Sequence, residues 1–207
     1  HSDLKTIMTT TKKTTTKKAT VKTVKTKATP IPNLPNIPFA FEIFDAASKQ
    51  RSKAKKVEVL RRYAHDSILT LLIWNFDETA ISALPPGDVP YGNTGQDQQT
   101  TGTLSDKIND AVDKMNEIGS RSLGSQDQGK ASIRREYTKF YNFIKGGNNS
   151  LSSLRRETMF INILEGLHPL EAEILILVKD KKLTDKYKIT KEVVSEAYPQ
   201  ITWGGRS

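Results

Sequence analysis

Side chains able to do covalent or acid–base chemistry are sparse in this chain of 207 residues, which has three histidines and no cysteine. Glu165 and His168 have the Glu-x-x-His spacing that presents both groups to a di-metal centre from one helix. Gly166 lies between them and Pro169 follows, so the helix that must carry both is interrupted and the spacing reads as chance. His65 precedes Asp66, the expected cap of a helix, where an imidazole only packs. His1 stands before Met8, and residues 1–7 are expected to be an upstream extension. Gly146-Gly147 leads into Asn148-Asn149 instead of a lysine, which reads as a helix end and not as a phosphate loop. The acids Glu171, Glu173, Asp106, Asp110 and Asp113 stand near expected helix starts, where they complement the helix dipole, and none forms a privileged acid–base pair. The missing cysteine removes disulfides, thiolate zinc sites and a thiol nucleophile together. No enzyme activity, cofactor or metal is expected.

Binding chemistry is better represented. Residues 1–29 hold eight lysines and eleven threonines against one acid, Asp3, and so carry +7 of the formal +9. The remainder is close to neutral, with 24 basic and 22 acidic residues. Crowded, acid-free lysines repel one another and seek a polyanion, so Lys12, Lys13, Lys17, Lys18, Lys22, Lys25 and Lys27 are expected to contact nucleic acid or an acidic protein. Threonine adds hydroxyl donors but no base code, so recognition is expected to be nonspecific. A second cationic run spans Lys49 to Arg62, with seven Lys or Arg against Glu58 alone. On a helical wheel Arg51, Lys55 and Arg62 share one side, opposite Val57 and Ala64, and could lie along a phosphate backbone. Five phosphate contacts imply a salt slope of about −4.5 and a loss of about 500-fold between roughly 50 and 200 mM salt. Tyr137, Phe140, Tyr141 and Phe143, beside Arg134, Arg135, Lys139 and Lys145, have the composition of a base-stacking platform. Helical spacing puts Tyr137, Phe140, Tyr141 and Ile144 on one stripe, which argues for core instead.

The elements that must position these residues are helical. Residues 1–29 contain too little apolar surface to offset the entropy of ordering and read as an intrinsically disordered basic tail. Pro30, Pro32, Pro35 and Pro38 make residues 30–38 an extended linker able to dock on the body. From Phe39 the spacing predicts two short helices or one kinked helix, then a buried helix through Ile68–Trp74 capped by Asp66, and a short helix capped by Asp77 that ends before Pro85. Further helices are expected over Leu104–Ile118, Ile133–Ile144, Leu151–Leu164, Pro169–Val178 and Thr190–Ala197, with polar loops near 92–102 and 119–130. No alternating strand pattern appears, so residues 39–207 read as one all-α domain of seven to nine helices. No apolar run reaches the roughly 18 residues of a membrane span, and the amino end lacks the apolar segment of a secretory signal.

The strings SKQRSKAKKVEVLRRY, LLIWNFD and LPPGDVPY, with EGLHPLEAE and LVKDKKL further on, resemble a family of small proteins of contractile-tailed bacteriophages, those of marine cyanobacteria and their relatives. The likeness covers most of residues 39–203 and leaves out the tail. It implies a phage-encoded product of a host bacterial cytoplasm, with packaging in the virion left open, and it transfers no activity and no catalytic residues. The expected function is a non-enzymatic accessory protein that holds DNA or RNA nonspecifically. The alternative is a helical interaction or virion component whose arm binds an acidic protein.

Overall fold

The run of closely spaced prolines ends at Pro38, and the first described helix starts two residues later. The computed structural model describes residues 31–92, 102–118 and 131–207. Eight α-helices occur among them: α1 (Ala40–Lys49), α2 (Lys53–Arg62), α3 (Asp66–Phe76), α4 (Leu104–Ile118), α5 (Ile133–Glu136), α6 (Ser153–Gly166), α7 (Pro169–Lys179) and α8 (Lys191–Ala197). Two 3-10 helices, Tyr137–Phe143 and Leu183–Asp185, complete the set. No strand is present among the described residues, where one isolated antiparallel bridge joins Ser82 to Ile144. The fold class is therefore all-α. The tail expected at 1–29 and the loop expected at 119–130 lie outside the described residues, as does nearly all of the loop at 92–102.

Local chemistry sets most helix starts. The Ser52, Ser152 and Thr190 hydroxyls accept from the N–H groups of Lys55, Arg155 and Val193, each satisfying an orphan donor of a first turn. Thr103 and Asp106 form a reciprocal pair at the start of α4, and Pro169 occupies the first position of α7, where its missing N–H costs nothing. The expected cap Asp66 is corrected to His65: its Nδ1 accepts from the Ser67 N–H at 3.1 Å, and Asp66 is the first helical residue. Asp77 starts no helix and instead closes α3 as its carboxyl-terminal cap, its N–H donating to the Ile73 carbonyl at 2.8 Å. Its carboxylate accepts from the Thr79 N–H and hydroxyl in a tight turn, and residues 78–92 contain no helix.

The core is built around α7, which packs against α1, α3, α4 and α6. Ala172, Ile174, Leu175 and Val178 are fully buried there, as expected of a helix that is apolar on most sides. The apolar run of α3 supplies Ile68, Leu71, Leu72 and Trp74, and the Trp74 ring lies beside Phe140 and Phe143. Three helix starts converge on one carboxylate. Glu171, in the first turn of α7 and 1% exposed, accepts from the Ala40 N–H of α1 at 3.2 Å and from the Ile133 N–H of α5 at 3.1 Å. At the other end of α7 the buried Lys179 ammonium donates to the carbonyls of Pro85 and Gly87 and to the Asp180 carboxylate, at 2.8 to 2.9 Å. That cluster clasps the Pro85-Pro86-Gly87 loop onto the helix. Ile31 and Leu34 pack on the core, and the Tyr63 hydroxyl bridges the Leu34 N–H and the Pro32 carbonyl.

Candidate nucleic-acid interface

Helix α2 carries the described part of the expected interface. Val57, Val59 and Leu60 are its buried face, so its cations are distributed over the remaining arc. Three of the seven cations between Lys49 and Arg62, namely Lys53, Lys56 and Arg61, are tied to other elements of the fold, and Lys49 makes only an exposed pair within α1. Lys49 pairs with Asp45 at 2.7 Å. Lys53 reaches Glu192 and Glu196 on α8, and its ammonium is held above its ordinary range by those two carboxylates. Lys56 donates to the carbonyls of Ala47, Ser48 and Lys188, and burial followed by the charge of Lys188 lowers its pKa. Arg61 donates to the carbonyls of Glu196 and Ala197, closing the carboxyl end of α8.

Arg51, Lys55 and Arg62 are what remains. Lys55 and Arg62 lie on either side of Glu58, at 3.4 and 3.7 Å, with side chains 38% and 44% exposed. Pairs this open are worth little, and Glu58 cannot neutralise two cations. The wheel placed Arg51 on the same helix, but it stands in the bend before the cap Ser52 and is exposed there. Ala64 is likewise corrected from core-facing to exposed, because α2 ends at Arg62. Lys12, Lys13, Lys17, Lys18, Lys22, Lys25 and Lys27 lie outside the described residues.

The aromatic segment departs from the helical stripe. After four residues of α5 the backbone tightens into the 3-10 helix Tyr137–Phe143, whose three-residue turn brings Tyr137, Phe140 and Phe143 to one side. Phe140 and Phe143 are buried, whereas Tyr141 is 56% exposed. Tyr141 borders an open pocket of about 460 Å³ walled by Trp74, Tyr137, Phe140 and Ile144, with Lys145 and Arg206 at its margin. Glu165 and His168 do not share a helix: Glu165 is exposed near the end of α6, and His168 is the buried cap of α7, its Nδ1 accepting from the Leu170 N–H and its ring stacked on Phe41. No cluster of three potential metal ligands occurs among the described residues.

A family model described as a family of unknown function (DUF6433) matches residues 43–117 and 120–185. The chain belongs to this family. No curated protein and no solved structure matches it. The DUF6433 match takes in Arg51, Lys55, Arg62 and the Tyr141 pocket apart from Arg206, and it leaves out residues 1–29 and helix α8. The lysine-rich arm is thus an addition to the matched span of the family, while the α2 cations lie within it.

Proposed function

We propose that this chain is a non-enzymatic accessory protein of a bacteriophage, made in the host cytoplasm, that holds DNA or RNA without sequence preference. The observation that carries the reading is the separation of charge: +7 in residues 1–29 beside a nearly neutral body. Arg51, Lys55 and Arg62 extend the cationic surface, since the fold leaves them facing solvent with only Glu58 between them. The non-enzymatic part is supported by the occupation of the buried ionisable groups. Glu171, Asp77 and Lys179 hold helix starts, a turn and a loop through hydrogen bonds to backbone groups. Among the described residues no helix is long and apolar enough to cross a membrane.

A gel-shift titration with duplex and single-stranded probes tests this. Binding at about 50 mM salt should weaken by about 500-fold at roughly 200 mM if five phosphates are neutralised, and should fall sharply when residues 1–29 are removed. No shift at low salt, or one indifferent to that deletion, overturns the proposal.

A second reading is favoured by the open groove beside α6, about 720 Å³, where Leu154 is 66% exposed above Met159 and Ile163. In it the protein is a helical interaction or virion component and the arm binds an acidic protein. Pull-down from infected lysate after nuclease treatment separates the two, because a partner bridged by nucleic acid is lost and a directly docked protein is retained.

A further inference from the structure

The pocket beside Tyr141 joins three features that single-stranded nucleic acid requires. It offers an unoccupied aromatic face: Tyr141 is 56% exposed, and among the described residues no ring packs on it and no partner meets its hydroxyl. It offers a cation: no carboxylate partners the Lys145 ammonium among the described residues, whereas Arg206 is already neutralised by Asp77. No carboxylate lines the cavity, whose walls are otherwise apolar or hydroxyl-bearing. Its volume of about 460 Å³ lies within the roughly 300–1,000 Å³ of small-ligand sites.

The arrangement is built into the backbone. Gly146 takes a left-handed conformation (φ +85°), and a Cβ on Gly147 would lie 1.9 Å from the Tyr141 carbonyl oxygen, so the glycine pair lets the chain fold back against Tyr141. The Lys145 N–H donates to the Ile81 carbonyl at 2.8 Å and the Ile144 N–H to the Tyr141 carbonyl at 3.3 Å. Lysine and tyrosine are therefore held at one mouth by a turn and not by two mobile loops.

We propose that this pocket seats one base of a single-stranded nucleic acid against the Tyr141 ring, with an adjoining phosphate at the Lys145 ammonium. The inference rests on the nucleic-acid reading above and deepens it: the arm supplies charge, indifferent to strandedness, and the pocket supplies preference for unpaired bases, whose faces a duplex conceals.

The test compares the full-length chain, Tyr141→Ala, Tyr141→Trp and a form lacking residues 1–29 by fluorescence anisotropy at low salt. The probes are a labelled oligothymidylate of about twelve nucleotides and the corresponding duplex. Tyr141→Ala should weaken single-strand binding about 5- to 150-fold, leave duplex binding unchanged, and be rescued by Tyr141→Trp. The exposed position of Tyr141 keeps the fold out of the comparison, and matched melting curves verify that. Single-strand affinity unchanged in Tyr141→Ala, or both probes weakened alike, overturns the site. If the deletion abolishes binding while Tyr141→Ala does not, the pocket falls and the arm stands. If Tyr141→Ala alone discriminates and the deletion changes nothing, the pocket stands and the arm falls. Should the parent chain bind neither probe, both fall.

Discussion

Glu171 shows at single-residue scale how this fold balances burial against charge. Burial pushes its carboxyl up to about 7, against the opposite pull of the Ile133 and Ala40 N–H donors, so the folded chain holds this proton far better than the unfolded chain does. The sign of the linkage follows. Stability from this group is fully present below the ordinary value of 4.5 and is lost as pH rises through about 7. Glu171→Gln cannot ionise, and its amide can accept from only one of the two N–H groups with its oxygen, so it should cost about 1–3 kcal/mol where the parent is protonated. The gap between parent and variant should then narrow as pH rises toward neutrality. Urea unfolding at a series of pH values measures this, and parallel profiles would show that the carboxyl titrates normally in the fold. His65 slopes the other way, because burial and then the charge of Arg134 lower its pKa, but it is common to both proteins and cancels in the difference.

At the scale of elements, α2 separates two jobs that its sequence runs together. Arg61 and Arg62 are adjacent, yet Arg61 closes the end of α8 through two carbonyls and Arg62 faces solvent beside Glu58. Arg61→Ala should therefore lower stability by about 1 kcal/mol and leave the salt slope of nucleic-acid binding unchanged. The combined change of Arg51, Lys55 and Arg62 to alanine should leave stability nearly unchanged and reduce the slope by up to about 3. Urea titration and binding at several salt concentrations distinguish them, and the reverse pattern would reassign the helix. This division also marks how far the sequence could be read. Helix starts were legible where the cap is a hydroxyl or the first residue a proline, as at Thr190 and Pro169, and less so at His65, a residue type outside the usual capping set. Tyr141 was misplaced because a helical wheel steps about 100° per residue and a 3-10 helix about 120°, which turns that ring outward. The commitment of Lys53 to Glu192, 139 positions away, has no local signature at all.

On the scale of the whole molecule, distant parts of the described chain are tied together by single polar side chains, and Asp77 is the one on which most depends. It receives the Thr79 turn, the Gly204 N–H at 2.9 Å and the Arg206 guanidinium, so it fastens the carboxyl-terminal segment to the end of α3. Trp203 adds a hydrogen bond to Ser195 and a cation–π contact with Lys191. The sequence showed Asp77 only as a cap, because a turn and a partner 129 positions away leave no periodic trace. Burial works to raise its carboxyl, yet the Thr79 hydroxyl, the Gly204 and Thr79 N–H groups and Arg206 together hold it well below the ordinary carboxylate range. A lowered folded pKa means that this stability is present above the ordinary value of 3.8 and is lost as pH falls below it. Asp77→Asn keeps the shape and removes the charge, so it should cost about 2 kcal/mol at neutral pH and flatten the loss of stability on acidification. Hydrogen exchange at the Gly204 amide should quicken in the variant while the Leu183 amide, held by Asn75 on the core side of α3, exchanges only as much faster as the lower global stability requires. Equal acid sensitivity in parent and variant, with Gly204 still protected, would mean that the carboxyl-terminal segment is held by Trp203 and its neighbours instead of by Asp77.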